Sequence, residues 1–251
     1  MITVKKDAIK YKSSDGTMKD SGVLCQVGVV DASAEFNSDW WVNGFNGLTN
    51  YSYKFAEFQN DTIPFIDTSK GKNFSGMFQN SKVTHIPLLD TSKGTNFVNM
   101  FSNSDISEVP PLDLSNATSV SSMFNMSSKK GLEKLPSFNT KNVTHFSYFI
   151  YYAPSLKEVG KLNLSSAVNV EGLFGACDSL EDVSFVENSI KISIKFNSCP
   201  LLSAESIQSI IDGLADLTGS TAQTLTLHAT VKAKLTESQI SQITSKNWTL
   251  A

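Results

Sequence analysis

The chain has 251 residues, 40% of them hydrophobic, enough to build a globular core. All 21 basic residues are lysine, so the planar guanidinium that grips phosphate in two places is missing, and with a net charge of −3 this argues against a nucleic-acid partner. No apolar run approaches the ~18 residues of a membrane span, and the dispersed Cys25, Cys177, Cys199, His85, His145 and His228 suggest neither a disulfide framework nor a metal site, so no cofactor is expected.

In chain order, residues 2–4, 8–11 and 23–30 read as short strands, with SSDGT at 13–17 as a turn. Residues 1–35 are therefore expected to form a small β module that attaches or oligomerises the protein. Taken as the natural start, MITVKKDAIKYK lacks the apolar core and cleavage site of a signal peptide, so export by the general secretory route is not expected. A bridging segment with Trp40 and Trp41 leads into the next region.

From there the chain repeats itself. NFSGMF at 73–78 returns as NFVNMF at 96–101, and the apolar pairs Met77-Phe78, Met100-Phe101, Met123-Phe124, Phe149-Ile150 and Leu173-Phe174 follow at spacings of 23, 23, 26 and 24. Such a period signals units that cannot bury an apolar face alone. Each unit holds two patterns. Val109-x-x-Leu112-x-Leu114 and Val159-x-x-Leu162-x-Leu164 have the spacing of a leucine-rich-repeat strand, with Thr68, Thr91 and Thr140 in the third position of other copies. Phe74-x-x-Met77-Phe78 and Phe97-x-x-Met100-Phe101 place apolar residues at i, i+3 and i+4, which predicts a short helical return. Each return would pack a three-residue apolar wedge, at ~1.5–3 kcal/mol gross per large side chain buried.

After the repeats, Ile207, Ile210, Ile211, Leu214 and Leu217 fall at helical spacing, and 224–227 alternates like a strand. Thr236 with Gln239 forms a capping-box pattern that opens another helix, and Trp248 is expected to seal the end. The fold class expected is an α/β solenoid: a leucine-rich-repeat-like stack of about six 23–26-residue units over 36–200, with the N-terminal β module before it and an α/β cap over 201–251.

The units IPLLDTSKGTNFVNMF (86–101) and VPPLDLSNATSVSSMF (109–124) resemble leucine-rich repeats of the BspA-type surface-protein family, over roughly 55–200. The closing segment from AESIQSIIDGLADL onward is similar to those that follow such repeats in bacterial surface and phage-derived proteins. The opening MITVKKDAIKYKSSDGTM is similar to the N-termini of phage and prophage tail-associated proteins. The resemblance implies an adhesion or recognition protein, on a phage tail or an extracellular surface. Taken as the natural ends, these residues show no export signal, wall anchor or lipid-attachment cysteine like those of the secreted members, so a virion component is the expectation.

On the concave face of such a stack, outward positions would form two columns. One runs Asp67, Asp90, Asp113, Asn139, Asn163 and Glu187, and the other Phe65, Leu88, Pro111, Ser137, Lys161 and Phe185. The first is either a surface for a carbohydrate, a cationic group or a calcium-bridged ligand, or a series of Asx turns in which each side chain bonds its own backbone. The second, varied in chemistry, is either a specific recognition face or drift at exposed sites. The aromatics Trp40, Trp41, Phe45, Tyr51, Tyr53, Tyr148, Tyr151 and Tyr152 exceed what the wedges require and suit either a protein or sugar interface or packing between units. Cys177 and Cys199 occupy matching places in adjoining copies and read as buried thiols. No catalytic motif occurs, so the expectation is a non-enzymatic protein that binds a protein or glycan on a cell surface, without nucleic acid or membrane; a purely structural spacer is the other reading.

Overall fold

The structure is a computed structural model and describes residues 10–12, 18–20, 46–63, 65–127 and 131–251. The expected N-terminal module lies largely outside these, as do Cys25, Trp40, Trp41 and Phe45. Within it, β1 (Lys10–Lys12) and β2 (Met18–Asp20) pair antiparallel.

The expected α/β leucine-rich-repeat solenoid is overturned. The described residues form small, separate parallel sheets with few helices, and no sheet continues through the copies or closes on itself. One sheet joins β3 (Phe124–Asn125), β5 (Ile150–Tyr151) and β7 (Phe174–Gly175); another joins β4 (Lys134–Leu135), β6 (Glu158–Leu162) and β8 (Asp182–Phe185). Among the described residues, helix occurs only after residue 203.

Two local causes account for the difference. In the wedge segments, the residue immediately before the second apolar position has a positive φ: 60° at Gly76, 58° at Asn99, 55° at Ser122 and 55° at Tyr148. A second left-handed residue follows at Asn80 (57°) and Asn103 (53°). A right-handed helix cannot pass through either point. The i, i+3, i+4 spacing is instead met by consecutive tight turns, closed by Met77 N–H to Phe74 O (3.1 Å) and Ser81 N–H to Phe78 O (3.2 Å). In the strand segments, Pro87, Pro110 and Pro136 remove a backbone donor and leave only isolated bridges or two-residue strands. Regular strand lengthens in β6 and β8, which contain no proline.

Consecutive copies are nevertheless bonded to one another through their turns. Phe74, Gly76, Phe78 and Asn80 donate their N–H groups to the carbonyls of Asn96, Val98, Met100 and Ser102 in the next copy, at 2.8–2.9 Å. The intervening residues close turns within their own copy, so both sets of donors are satisfied. Inside the turns, rings lie face to face in two rows: Tyr51, Phe74 and Phe97 with centroids 5.5 and 5.2 Å apart, and Phe55, Phe78, Phe101 and Phe124 at 5.6, 5.4 and 5.5 Å. Met77, Met100 and Met123 are fully buried beside them. The reading of Phe and Met as core holds, although the conformation expected for them does not.

The last region has the expected alternation of helix and strand, except that the first helix ends at Gly213, so Leu214, which is extended, and Leu217 lie beyond it. β9 (Ile194–Phe196), β10 (Gln223–Leu227) and β11 (Trp248–Leu250) form a parallel sheet with β10 in the middle. Helix α1 (Ala204–Gly213) buries Ile207, Ile210 and Ile211. A single turn, α2 (Ala229–Lys232), is capped by His228 and had no counterpart in the sequence reading. Helix α3 (Glu237–Ser245) opens on the expected capping box, with Gln239 N–H donating to Thr236 Oγ1 and Thr236 N–H to Gln239 Oε1. Trp248 is buried, and its indole N–H donates to Ala215 O at 2.9 Å. Lys246 Nζ donates to the Ile211 and Leu214 carbonyls at the end of α1.

Helix α1 also closes the sheet edge at β8. Val183 and Phe185 donate their backbone N–H groups to Ser206 Oγ (2.9 Å) and Ser209 Oγ (3.0 Å), so two helix hydroxyls stand where another strand would be. This protects an edge that could otherwise recruit a foreign chain.

Candidate ligand-binding face

The acidic and amide column is committed locally from Asp67 to Asn163, and Glu187 is not part of that pattern. Asp67 Oδ1 accepts from Ser69 N–H (3.0 Å), and Asp90 Oδ1 from Ser92 N–H (3.0 Å) and Oγ (2.7 Å). Asp113 Oδ1 accepts from Ser115 N–H (2.8 Å), Asn139 Oδ1 from Lys141 N–H (3.4 Å), and Asn163 Oδ1 from Ser165 N–H (2.9 Å) and Oγ (2.6 Å). Each side chain thus folds onto the backbone two residues on. The Ser69 hydroxyl and amide hold the Asp67 carboxyl below the ordinary range, and those of Ser92 do the same for Asp90. The carboxylates remain solvent-exposed. No group of three or more His, Cys, Asp or Glu suited to a metal ion occurs among the described residues.

The second column is exposed over most of its length and changes character along it. Phe65 is 39% and Leu88 59% exposed, and Pro111, Ser137 and Lys161 also face solvent. Phe185 does not belong there: it is 3% exposed and packs edge-on against Phe174 and Phe196. The cause is a register shift. β6 places two residues, Gly160 and Lys161, between Val159 and Leu162, whereas β8 places only Ser184 between Val183 and Phe185. Phe185 therefore pairs with Leu162 in the interior, and Val186 takes the outward place.

Lys161 and Glu187 converge on a groove of about 670 Å³ between β8 and α1, whose other walls are Val186, Glu205, Gln208, Ser209 and Asp212. A smaller groove of about 340 Å³, which shares Lys161, Glu205 and Ser209 with it, runs past Ser137, Glu158 and Asp182. Two of these acids are already engaged: Glu158 pairs with Lys134 at 2.7 Å, and Asp182 Oδ1 accepts from Ser203 Oγ at 2.7 Å. The polar side of α1 supplies one wall, whereas the apolar periodicity of 207–214 points only to its buried side. Glu205, Gln208 and Asp212, at spacings of three and four, share one polar helical face, and that was the available signal.

The surplus aromatics divide. Tyr51 is core, with its hydroxyl donating to Asp67 O at 2.5 Å, whereas Tyr53, Tyr148 and Tyr152 are 56%, 36% and 47% exposed. Cys177 and Cys199 are free and buried, and loss of solvent pushes the Cys177 thiol up to about 12 and that of Cys199 upward as well.

The repeats and this exposed face define a repeat protein of the kind associated with BspA-like proteins. More particularly, the chain belongs to the family described as "Mycoplasma protein of unknown function, DUF285", whose model matches residues 30–131 and 89–188. No curated protein and no solved structure matches the chain significantly.

Proposed function

We propose that this protein is a non-enzymatic binding protein that recognises a protein or glycan on a cell surface, through the strand-segment face that runs from Phe65 and Leu88 to the groove at Lys161. The observation that supports this reading most is the second column. In each copy the residue that follows it is buried and the next one bonds the backbone two residues on, while Phe65, Leu88, Pro111, Ser137 and Lys161 stay exposed and differ in chemistry. On a hydrogen-bonded frame, such positions bind with little ordering cost. In the finer form of the proposal, the protein is carried on a phage or prophage tail, as the similarity of its opening residues to tail-associated proteins suggests; several copies on one particle would add avidity. A second reading, an adhesin of a bacterial surface, is favoured by the family description, which names a bacterium.

The test is retention of the purified chain on whole bacterial cells and on immobilised host-matrix proteins. Phe65→Ala, Leu88→Ala and Lys161→Ala together should reduce retention at least tenfold with an unchanged melting temperature. Unchanged retention would remove this face from consideration, and no retention of the parent chain on any surface would leave the spacer reading.

A further inference from the structure

One copy breaks the pattern of the turn face. At the first left-handed position the copies carry Tyr53, Gly76, Asn99, Ser122, Tyr148 and Gly172, with φ between 55° and 61°. The second such position holds Glu57, Asn80, Asn103, Tyr152 and Ala176, with φ between 48° and 59°; the fourth copy shifts it to Ser127. Glycine adopts this conformation without steric cost and asparagine cheaply, while a bulky aromatic side chain is an expensive choice. The fifth copy nevertheless places tyrosine at both positions and a third tyrosine, Tyr151, between them.

Packing explains part of this. A Cβ on Gly172 would fall on the Tyr148 ring, and one on Gly175 would fall on the Tyr151 ring, so these rings cover the glycines of the next copy. Tyr53 covers Gly76 in the same way. Tyr152 has no such glycine: it faces Ala176 in register, is 47% exposed and has a φ of 48°. Among the described rings its ring meets only that of its neighbour Tyr151, edge-on, and it covers no glycine in the next copy; local strain at such a half-exposed aromatic is a mark of a functional position.

We infer that Tyr148, Tyr151 and Tyr152 form a stacking site for neutral sugar residues, separate from the groove at Lys161. The rings meet at right angles, Tyr148 with Tyr151 at 79° and 5.1 Å and Tyr151 with Tyr152 at 85° and 4.7 Å, which leaves differently oriented aromatic surfaces beside one another. Pyranose C–H faces pack on such rings, while sugar hydroxyls need polar neighbours. Asn125 lies beside Tyr151 in the sheet register, and Glu171 holds the Tyr148 hydroxyl at 3.1 Å. That carboxylate disfavours acidic sugars by like-charge repulsion. A flat protein partner fits less well, because it needs about 800 Å² of contact and the next copy offers only Gly172, Gly175 and Ala176 here.

The repeat itself supplies the test variant, because Tyr148→Asn with Tyr152→Asn restores a residue that other copies use at the same backbone angles. Calorimetric titration of the full chain would use tetrasaccharides of glucose, galactose and N-acetylglucosamine, with a sialylated tetrasaccharide as the acidic probe. The parent chain should bind at least one neutral probe. The double variant should bind it about tenfold or more weakly with a melting temperature equal or higher, and Tyr152→Phe should bind like the parent. The inference is overturned if no neutral probe binds, if the acidic one is preferred, or if the double variant binds as the parent does. Loss of sugar binding in Lys161→Ala alone would place the ligand in the groove and also overturn it.

Discussion

The turn segments and the strand segments of the same copies solve the problem of backbone pairing differently. Along the turns, alternate N–H groups from Phe74 to Asn80 bond the next copy, and the rings from Phe55 to Phe124 lie face to face. Along the strand segments, prolines interrupt the pairing, and regular sheet appears only where β4, β6 and β8 meet. The difference teaches that the turns hold the copies together, so the strand segments are free to vary at Phe65, Leu88 and Lys161.

The sharpest way to break this comparison is in the turns. Phe101, between Phe78 and Phe124, is fully buried, and Phe101→Ala should cost ~3–5 kcal/mol in urea unfolding. Leu88→Ala on the strand side should change the midpoint by less than about 0.5 kcal/mol equivalent. Comparable losses at the two positions would contradict the division of labour.

Next in size is a close approach between two strand segments at Gly160. A Cβ on Gly160 would lie 2.6 Å from the Pro136 carbonyl carbon, a backbone atom that cannot turn aside. Gly160→Ala should therefore cost ~1–3 kcal/mol in thermal unfolding, and a neutral result would show that β4 and β6 are free to separate.

A matched pair of threonines sharpens the comparison further. Thr91 Oγ1 accepts from Asp113 N–H at 2.8 Å and donates to Asp113 O at 3.0 Å, whereas the buried Thr68 Oγ1 has no partner among the described residues. Thr91→Val should cost ~1–3 kcal/mol, and Thr68→Val should be neutral or stabilising. Equal effects in denaturant titrations would mean that these clips contribute nothing between copies.

The smallest effect is in acid. The carboxyls of Asp67 and Asp90 are lowered in the folded state, so the unfolded chain takes up protons first as pH falls. Their contribution is complete above the ordinary carboxylate range and fades as pH drops through and below it. Because both side chains are exposed, the loss is small. Asp90→Asn should flatten the acid limb of a melting-temperature series slightly while leaving neutral stability nearly unchanged.

Much of this was legible in the residues, and the misreadings have definite causes. The period, the buried Phe and Met and the capping box at Thr236 follow from spacing and side-chain chemistry alone. The helical return was misread because i, i+3, i+4 spacing is shared by a helix and by consecutive tight turns. The residues that separate the two are Gly76 with Asn80 and Asn99 with Asn103, which favour the left-handed conformation that a helix excludes. Phe185 was placed outward because one fewer residue precedes it than precedes Leu162, and a one-residue slip reverses which side chains face inward.

What the sequence by itself determined is which side chains avoid water and how often they recur, since hydrophobicity and spacing are properties of the chain. Tertiary structure alone decided that Phe185 is core, that Ser206 and Ser209 close the β8 edge, and that Lys161 lines one groove with Glu205 and Asp212. Those facts depend on hydrogen-bond register and on contacts between residues more than twenty positions apart, which become defined only when the copies are paired.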